Sequence, residues 1–185
     1  MFFQVIRGIF RIYDILINFC RINNLRLRYE GITIKGKSII HKNCDIRCIK
    51  GSKLIIIDSH ISQGCQIIAD NNSTILIENA YIGPYCIIVA EKGIEIKKNS
   101  LIAEMVCIRD QNHNYGHTGK TLLEQGNSSQ NIEIGENVWI GAKATILKGV
   151  NIGENTVIAA HALVNKNCES NCVYAGTPAV KIKNF

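Results

Sequence analysis

The side chains best suited to chemistry in this 185-residue chain are five histidines and eight cysteines. Two of the histidines, His113 and His117, share the polar stretch Asp110-Gln111-Asn112-His113-Asn114-Tyr115-Gly116-His117. An imidazole titrates near neutral pH and is the commonest general base, so either one is a candidate proton acceptor. His41, His60 and His161 fall in regular aliphatic sequence, where ordinary surface packing is the expectation. A zinc site would need a third ligand beside His113 and His117, and the sequence offers none. No Gly-x-Ser-x-Gly motif or phosphate-cradling loop is present. No C-x-x-C pair occurs either, which argues against a zinc ribbon or a thioredoxin-like redox motif. The first twenty residues carry Arg7, Arg11 and Asp14 and lack a small-residue cleavage site, unlike a secretory signal. The expected compartment is therefore the cytoplasm, with free thiols.

The elements that position His113 and His117 are set by a six-residue period. Ile134, Ile140, Ile146, Ile152, Ile158 and Val164 recur at every sixth position. Four residues after each stands Val138, Ala144, Val150, Thr156, Ala162 or Cys168. Six matches neither the helical 3.6 nor the alternation of a simple strand. It is the repeat of a parallel β-helix, three short sides to a coil. The phase extends upstream in triplets: Ile34/Ile40/Ile46, Ile55/Ile61/Ile67, Leu76/Ile82/Ile88 and Ile96/Ile102/Ile108. Extra residues fall only between triplets, so insertions leave from one corner of a triangular prism of six coils. The longest insertion, residues 114–133, follows the fourth coil and carries the candidate histidines at its root.

The same register gives Cys44, Cys65 and Cys86 a shared interior column, stacked as small hydrophobes. Asn43, Asn79, Asn99, Asn137, Asn155 and Asn167, with Gly64, Gly149, Asp58 and Asp70, fall at corners that favour left-handed backbone.

The prism occupies residues 31–173, preceded by a helix and linker over 1–30 and followed by a tail over 174–185. In the helix, Gln4, Arg7, Arg11, Asp14, Asn18 and Arg21 recur at spacings of three and four, one polar stripe on an apolar rod. Such a rod suits a cap over the first coil or a subunit contact. A secondary reading is a peripheral contact with the inner membrane. In the tail, Gly176 and Pro178 predict a turn that leaves the prism. Isoleucine far outnumbers leucine, and the apolar content of 46% is inconsistent with disorder. The net charge of +6 is modest and reads as spread along the chain, which argues against a nucleic-acid partner. No apolar run approaches the ~20 residues of a membrane span.

Asn137-Val138-Trp139-Ile140-Gly141-Ala142, Ile146-Leu147-Lys148-Gly149-Val150, Ile152-Gly153 and the closing Ala175-Gly176-Thr177-Pro178-Ala179 resemble the bacterial hexapeptide-repeat acyltransferases. That group includes galactoside, maltose and nodulation acetyltransferases and the O-acetyltransferases of capsule and O-antigen synthesis. The resemblance covers roughly residues 31–185 and is sharpest from Ile108 onward. It implies a left-handed parallel β-helix, a homotrimer with active sites between adjacent subunits, and acetyl-CoA as acyl donor with no metal. It also implies His113 as general base, with His117 as the alternative, and Trp139 beside acceptor and thioester. Gly141, Ala142 and Ala160 would let the pantetheine arm approach the backbone. Asn165, Lys166 and Lys183 would meet the nucleotide end, whereas Val180 stands where relatives are often basic. The implied activity is O-acetylation of a carbohydrate acceptor, a sugar of a bacterial surface polysaccharide such as capsule or O-antigen, sialic acid included. Other readings are N-acylation of an amino-sugar nucleotide, a γ-class carbonic anhydrase-like metalloprotein, and a non-catalytic scaffold.

Overall fold

A computed structural model describes residues 2–185, with side chains from Ile12 onward. One helix, α1 (Phe2–Arg28), leads into a β-solenoid. The first face of the solenoid stacks six parallel strands, Ile32–Lys35, Lys53–Ile57, Thr74–Glu78, Gly93–Ile96, Ile132–Ile134 and Asn151–Ile152. Its second face stacks Ile39–Ile40, His60–Ile61, Tyr81–Ile82, Leu101–Ile102, Trp139–Ile140 and Val157–Ile158, then two further strands described below. A third face stacks Asp45–Cys48, Gln66–Ala69, Ile87–Ala90, Cys107–Arg109, Thr145–Ile146 and Leu163–Val164. This is the all-β solenoid of about six coils that the period calls for. Every insertion leaves at the corner between the third and first faces.

The aliphatic columns bury almost completely: Ile40, Ile61, Ile82, Ile102, Ile140 and Ile158, facing inward from the second face, are each 0% exposed. Apolar burial at about 25 cal/mol per Å² makes this stack the main stabilising element. Two members of the predicted columns do not point inward. Register pairs Ile34 with Ile56 and Ile56 with Ile77, so Ile56 and Ile77 are buried while Ile55 and Leu76 face outward. The cause lies in the runs Leu54-Ile55-Ile56-Ile57 and Ile75-Leu76-Ile77, where every residue is aliphatic. Alternation cannot choose a face there, and a slip of one residue inverts the strand.

Corner geometry follows the Asn/Gly pattern. Asn43, Asp58, Asn79, Asn99, Asn137 and Asn155 have φ between 42° and 61°, and Gly64 and Gly149 are also left-handed. Asp70 and Asn167 are not; Asn71, Asn72 and Asn171 take the positive φ instead. Cys65 and Cys86 are fully buried, whereas Cys44, in the first coil, is only half-buried. The neighbouring Cys65 thiol, and then burial, hold Cys44 well above the usual thiol range.

The two ends are closed differently. Asn18 of α1 donates to the Ser38 carbonyl at 3.1 Å and accepts from the Ile40 N–H at 2.9 Å. Arg21 donates to the Ile40 carbonyl and Arg26 to the Ile34 carbonyl. Polar side chains of the helix thus satisfy the open backbone edge of the first coil, with Ile22 and Leu25 packed on the core. Gln4, Arg7 and Arg11 of the stripe, with Phe2, Phe3, Ile6, Ile9 and Phe10, lie outside the residues whose side chains are described. At the far end the tail does not leave the prism. Cys172–Gly176 extends the second face, and Ala179–Asn184 folds back antiparallel against it. The turn at Gly176-Thr177-Pro178 is thus a hairpin, because the last coil still presents an unpaired strand edge.

Candidate active site

The insertion is built as a β-ribbon. Gln111–His113 pairs antiparallel with Asn127–Ser129, placing His113 opposite Asn127. At its root sits Asp110, fully buried, whose carboxylate accepts from the backbone N–H groups of Glu91, Lys92 and Gly93 at 2.8, 2.8 and 2.7 Å. The Asp110 carbonyl accepts from Gln130 N–H at 2.8 Å and closes the base of the ribbon. Two further side chains hold the returning strand. Lys148 donates to the Ser128 hydroxyl and, at 3.3 Å, to its carbonyl. Asn127 donates to Glu91 at 2.8 Å. The tip is tied by Gln125, which bonds the backbone of His117 and Lys120, and by Glu124, which accepts from Thr121 N–H at 2.8 Å.

Alternation along the ribbon puts Arg109, Gln111, His113 and Tyr115 on one side. Together with Asn112 and Asn127 they line a cavity of about 400 Å³. The His113 ring is exposed and makes no hydrogen bond among the described residues. It is therefore available to a substrate proton. His117 is exposed at the tip and does not line this cavity. The Gln111 Oε1 atom is buried without a hydrogen-bond partner.

The other candidate residues lie elsewhere. Trp139 is 53% exposed on the second face, between Leu101 and Val157. Ala142 is half-buried; Ala160, Asn165, Lys166 and Lys183 are exposed. Gly141 has a packing reason of its own, since a Cβ there would stand 2.5 Å from the Ala160 backbone nitrogen of the next coil. Lys166 and Lys183 form no ion pair among the described residues, while Lys181 is paired with Glu169 at 2.7 Å. That partner raises the Lys181 pKa above its usual value. None of these residues lines the His113 cavity. The ribbon leaves the corner opposite the second face, so one chain does not bring His113 and Trp139 together.

Two of the histidines expected on plain surface have a more specific setting. His41 and His60 have ring centroids 4.7 Å apart, and His60 stacks on Tyr81 at 5.1 Å. Among the described residues no group of three or more His, Cys, Asp or Glu is placed to hold a metal ion. The sequence reading missed Asp110 and Lys148 as anchors. A charged residue ending a strand just before an insertion was the available signal for Asp110.

Comparison with known proteins agrees with this architecture. Residues 131–166 match the family model described as bacterial transferase hexapeptide (six repeats). Galactoside O-acetyltransferase of Escherichia coli K12 is 39% identical over 93 residues, 50% of this chain and 44% of that protein. The putative lipopolysaccharide biosynthesis O-acetyl transferase WbbJ of the same organism is 32% identical over 106 residues, 51% and 52% of the two chains. The chain thus spans about half the length of these curated relatives. A maltose O-acetyltransferase structure from Clostridium difficile 630 superposes with a TM-score of 0.58 at 28% identity, covering 87% of this chain and 72% of that one. AntD, an N-acyltransferase from Bacillus cereus solved with dTDP-4-amino-4,6-dideoxyglucose and coenzyme A, shares the fold: TM-score 0.69 at 23% identity, with 84% and 85% covered. With its six-residue period, its stacked parallel faces and the repeat matched over residues 131–166, the chain is similar in sequence and fold to the bacterial hexapeptide-repeat transferases.

Proposed function

We propose that this protein is an acetyl-CoA-dependent O-acetyltransferase whose acceptor is a hydroxyl of a bacterial surface-polysaccharide sugar, of capsule or O-antigen type. The observation that carries the reading is the His113 imidazole, unbonded in its cavity on a ribbon anchored at Asp110 and Lys148. His113 takes the proton from the sugar hydroxyl as its oxygen attacks the thioester carbonyl. The carbon–sulfur bond breaks as the tetrahedral intermediate collapses, and the departing thiolate receives the proton from the imidazolium. A backbone N–H near Ala142 would stabilise the intermediate's oxyanion.

Because His113 and Trp139 stand on opposite sides of one prism, the working site needs two copies. We infer a homotrimer in which the ribbon of one protomer reaches the second face of its neighbour. Trp139 would border acceptor and thioester there, with Gly141, Ala142 and Ala160 along the pantetheine arm. The exposed cations of Lys166 and Lys183, beside Asn165, suit the nucleotide phosphates. The relatives named O-acetyltransferases support the hydroxyl acceptor. No helix among the described residues is long and apolar enough to cross a membrane, and a cytoplasmic location is part of the proposal.

The test is coenzyme A thiol release from acetyl-CoA with a panel of hydroxyl-bearing glycans and amino-sugar nucleotides. Release with the hydroxyl acceptors alone is expected, and release with the amines alone would replace this reading by N-acylation. His113→Ala should lower kcat by about 10²–10⁴-fold, the usual worth of a general base, with the oligomer intact. Turnover near wild type in that variant would move the role to His117.

A further inference from the structure

The helix that caps the first coil packs Ile22 and Leu25 on the core but leaves most of its described apolar side chains outside. In a solenoid cap the apolar side would be expected to meet the core, yet here Asn18, Arg21 and Arg26 reach the coil and spend their polar groups on its backbone edge. The opposite side is left uncovered. Ile12, Tyr13, Leu16, Phe19 and Leu27 are between 56% and 88% exposed. At 3.6 residues per turn they share an arc of roughly 120° centred opposite Asn18. Positions 12–16 are exposed on every side, so this part of the rod runs past the end of the prism.

Charge selects the occupant. Residues 1–28 contain five arginines and one aspartate, and the rest of the chain is close to balanced, with sixteen Lys/Arg and fourteen Asp/Glu. The net charge of +6 is therefore concentrated on the helix and is not spread along the chain. A second copy placed face to face would oppose two cationic rods. Arg21 and Arg26 are spent on the coil. For the remaining arginines, whose long stems can reach head groups from within the interface, and for the stripe, an anionic bilayer offers phosphates and an apolar phase. We propose that α1 lies in the plane of an anionic lipid surface, its exposed stripe in the acyl region and the prism held above it. The cap and the membrane contact are then two uses of one helix. This proposal does not depend on the acyl-transfer reading.

The test uses the full chain, vesicles of phosphatidylcholine with or without an equal share of phosphatidylglycerol, and sedimentation. Cys20, exposed on the same arc, reports burial through its rate of maleimide labelling. The chain should sediment with the phosphatidylglycerol vesicles and release at high salt, and Cys20 labelling should slow on them. The variant Leu16→Asp/Phe19→Asp should bind at least about tenfold more weakly with an unchanged thermal melt, because neither side chain bonds the coil. Three results would overturn the proposal: full-length chain left in the supernatant with both vesicle types, equal binding to phosphatidylcholine alone, or a variant whose change is confined to its mass in solution.

Discussion

A single carboxylate does more for the ribbon than any of its own residues. Asp110 gathers three consecutive backbone N–H groups that would otherwise be buried at an insertion corner without partners. His60 shows the opposite effect of burial. Desolvation, reinforced by the nearby His41, holds its imidazole below the ordinary value of about 6.5. The unfolded chain therefore binds that proton more readily, and the stability difference is present above the unfolded value and declines as pH falls through it. His60→Gln should flatten the acid side of the stability profile between about pH 7 and 5. Urea midpoints measured across that range decide it, and an unchanged slope would remove His60 from the account. The histidine pair was read as plain surface because two residues 19 apart become neighbours only once one coil is laid upon the next.

At the scale of elements, the hexad period announced the coils, their number and the corner used for insertions. Where the sequence carries one aliphatic residue per turn side, as in Ile134 to Val164, each side chain predicted inward is buried. Where it carries three or four in a row, the pattern holds no information about which face turns in, and Ile55 and Leu76 face outward although the six-residue phase predicts them inward. The ribbon was legible as an excursion but not as paired strands, since Gln111–His113 and Asn127–Ser129 have no hydrophobic alternation. What orders it is hydrogen bonding to the prism. Asp110→Asn replaces one acceptor oxygen by an amide donor facing N–H groups, and should cost roughly 1–3 kcal/mol. Ordering of the ribbon should suffer with it, so kcat for acyl transfer should fall. A melting temperature and turnover both equal to wild type would show that the root does not position His113.

Taken whole, the molecule is a column with two exposed rims, and each rim is finished by a different device. Stacked coils are only as soluble as their last unpaired strands. At the C-terminal rim a reversed strand, Ala179–Asn184, turns the chain's own direction against further parallel growth. At the N-terminal rim Asn18 imitates a missing strand, giving one hydrogen bond and taking another. Replacing Asn18 and Arg21 together by leucine should uncover that rim without touching the aliphatic columns. Light scattering should then rise with protein concentration while the circular dichroism of the β-solenoid persists, and a scattering signal identical to wild type would show that the rim is protected some other way. The wider consequence concerns polymerisation. A fold whose repeat could in principle add rungs without end is kept finite by three side chains of one helix and one backward-running strand, so stripping either device should turn a discrete particle toward end-to-end growth.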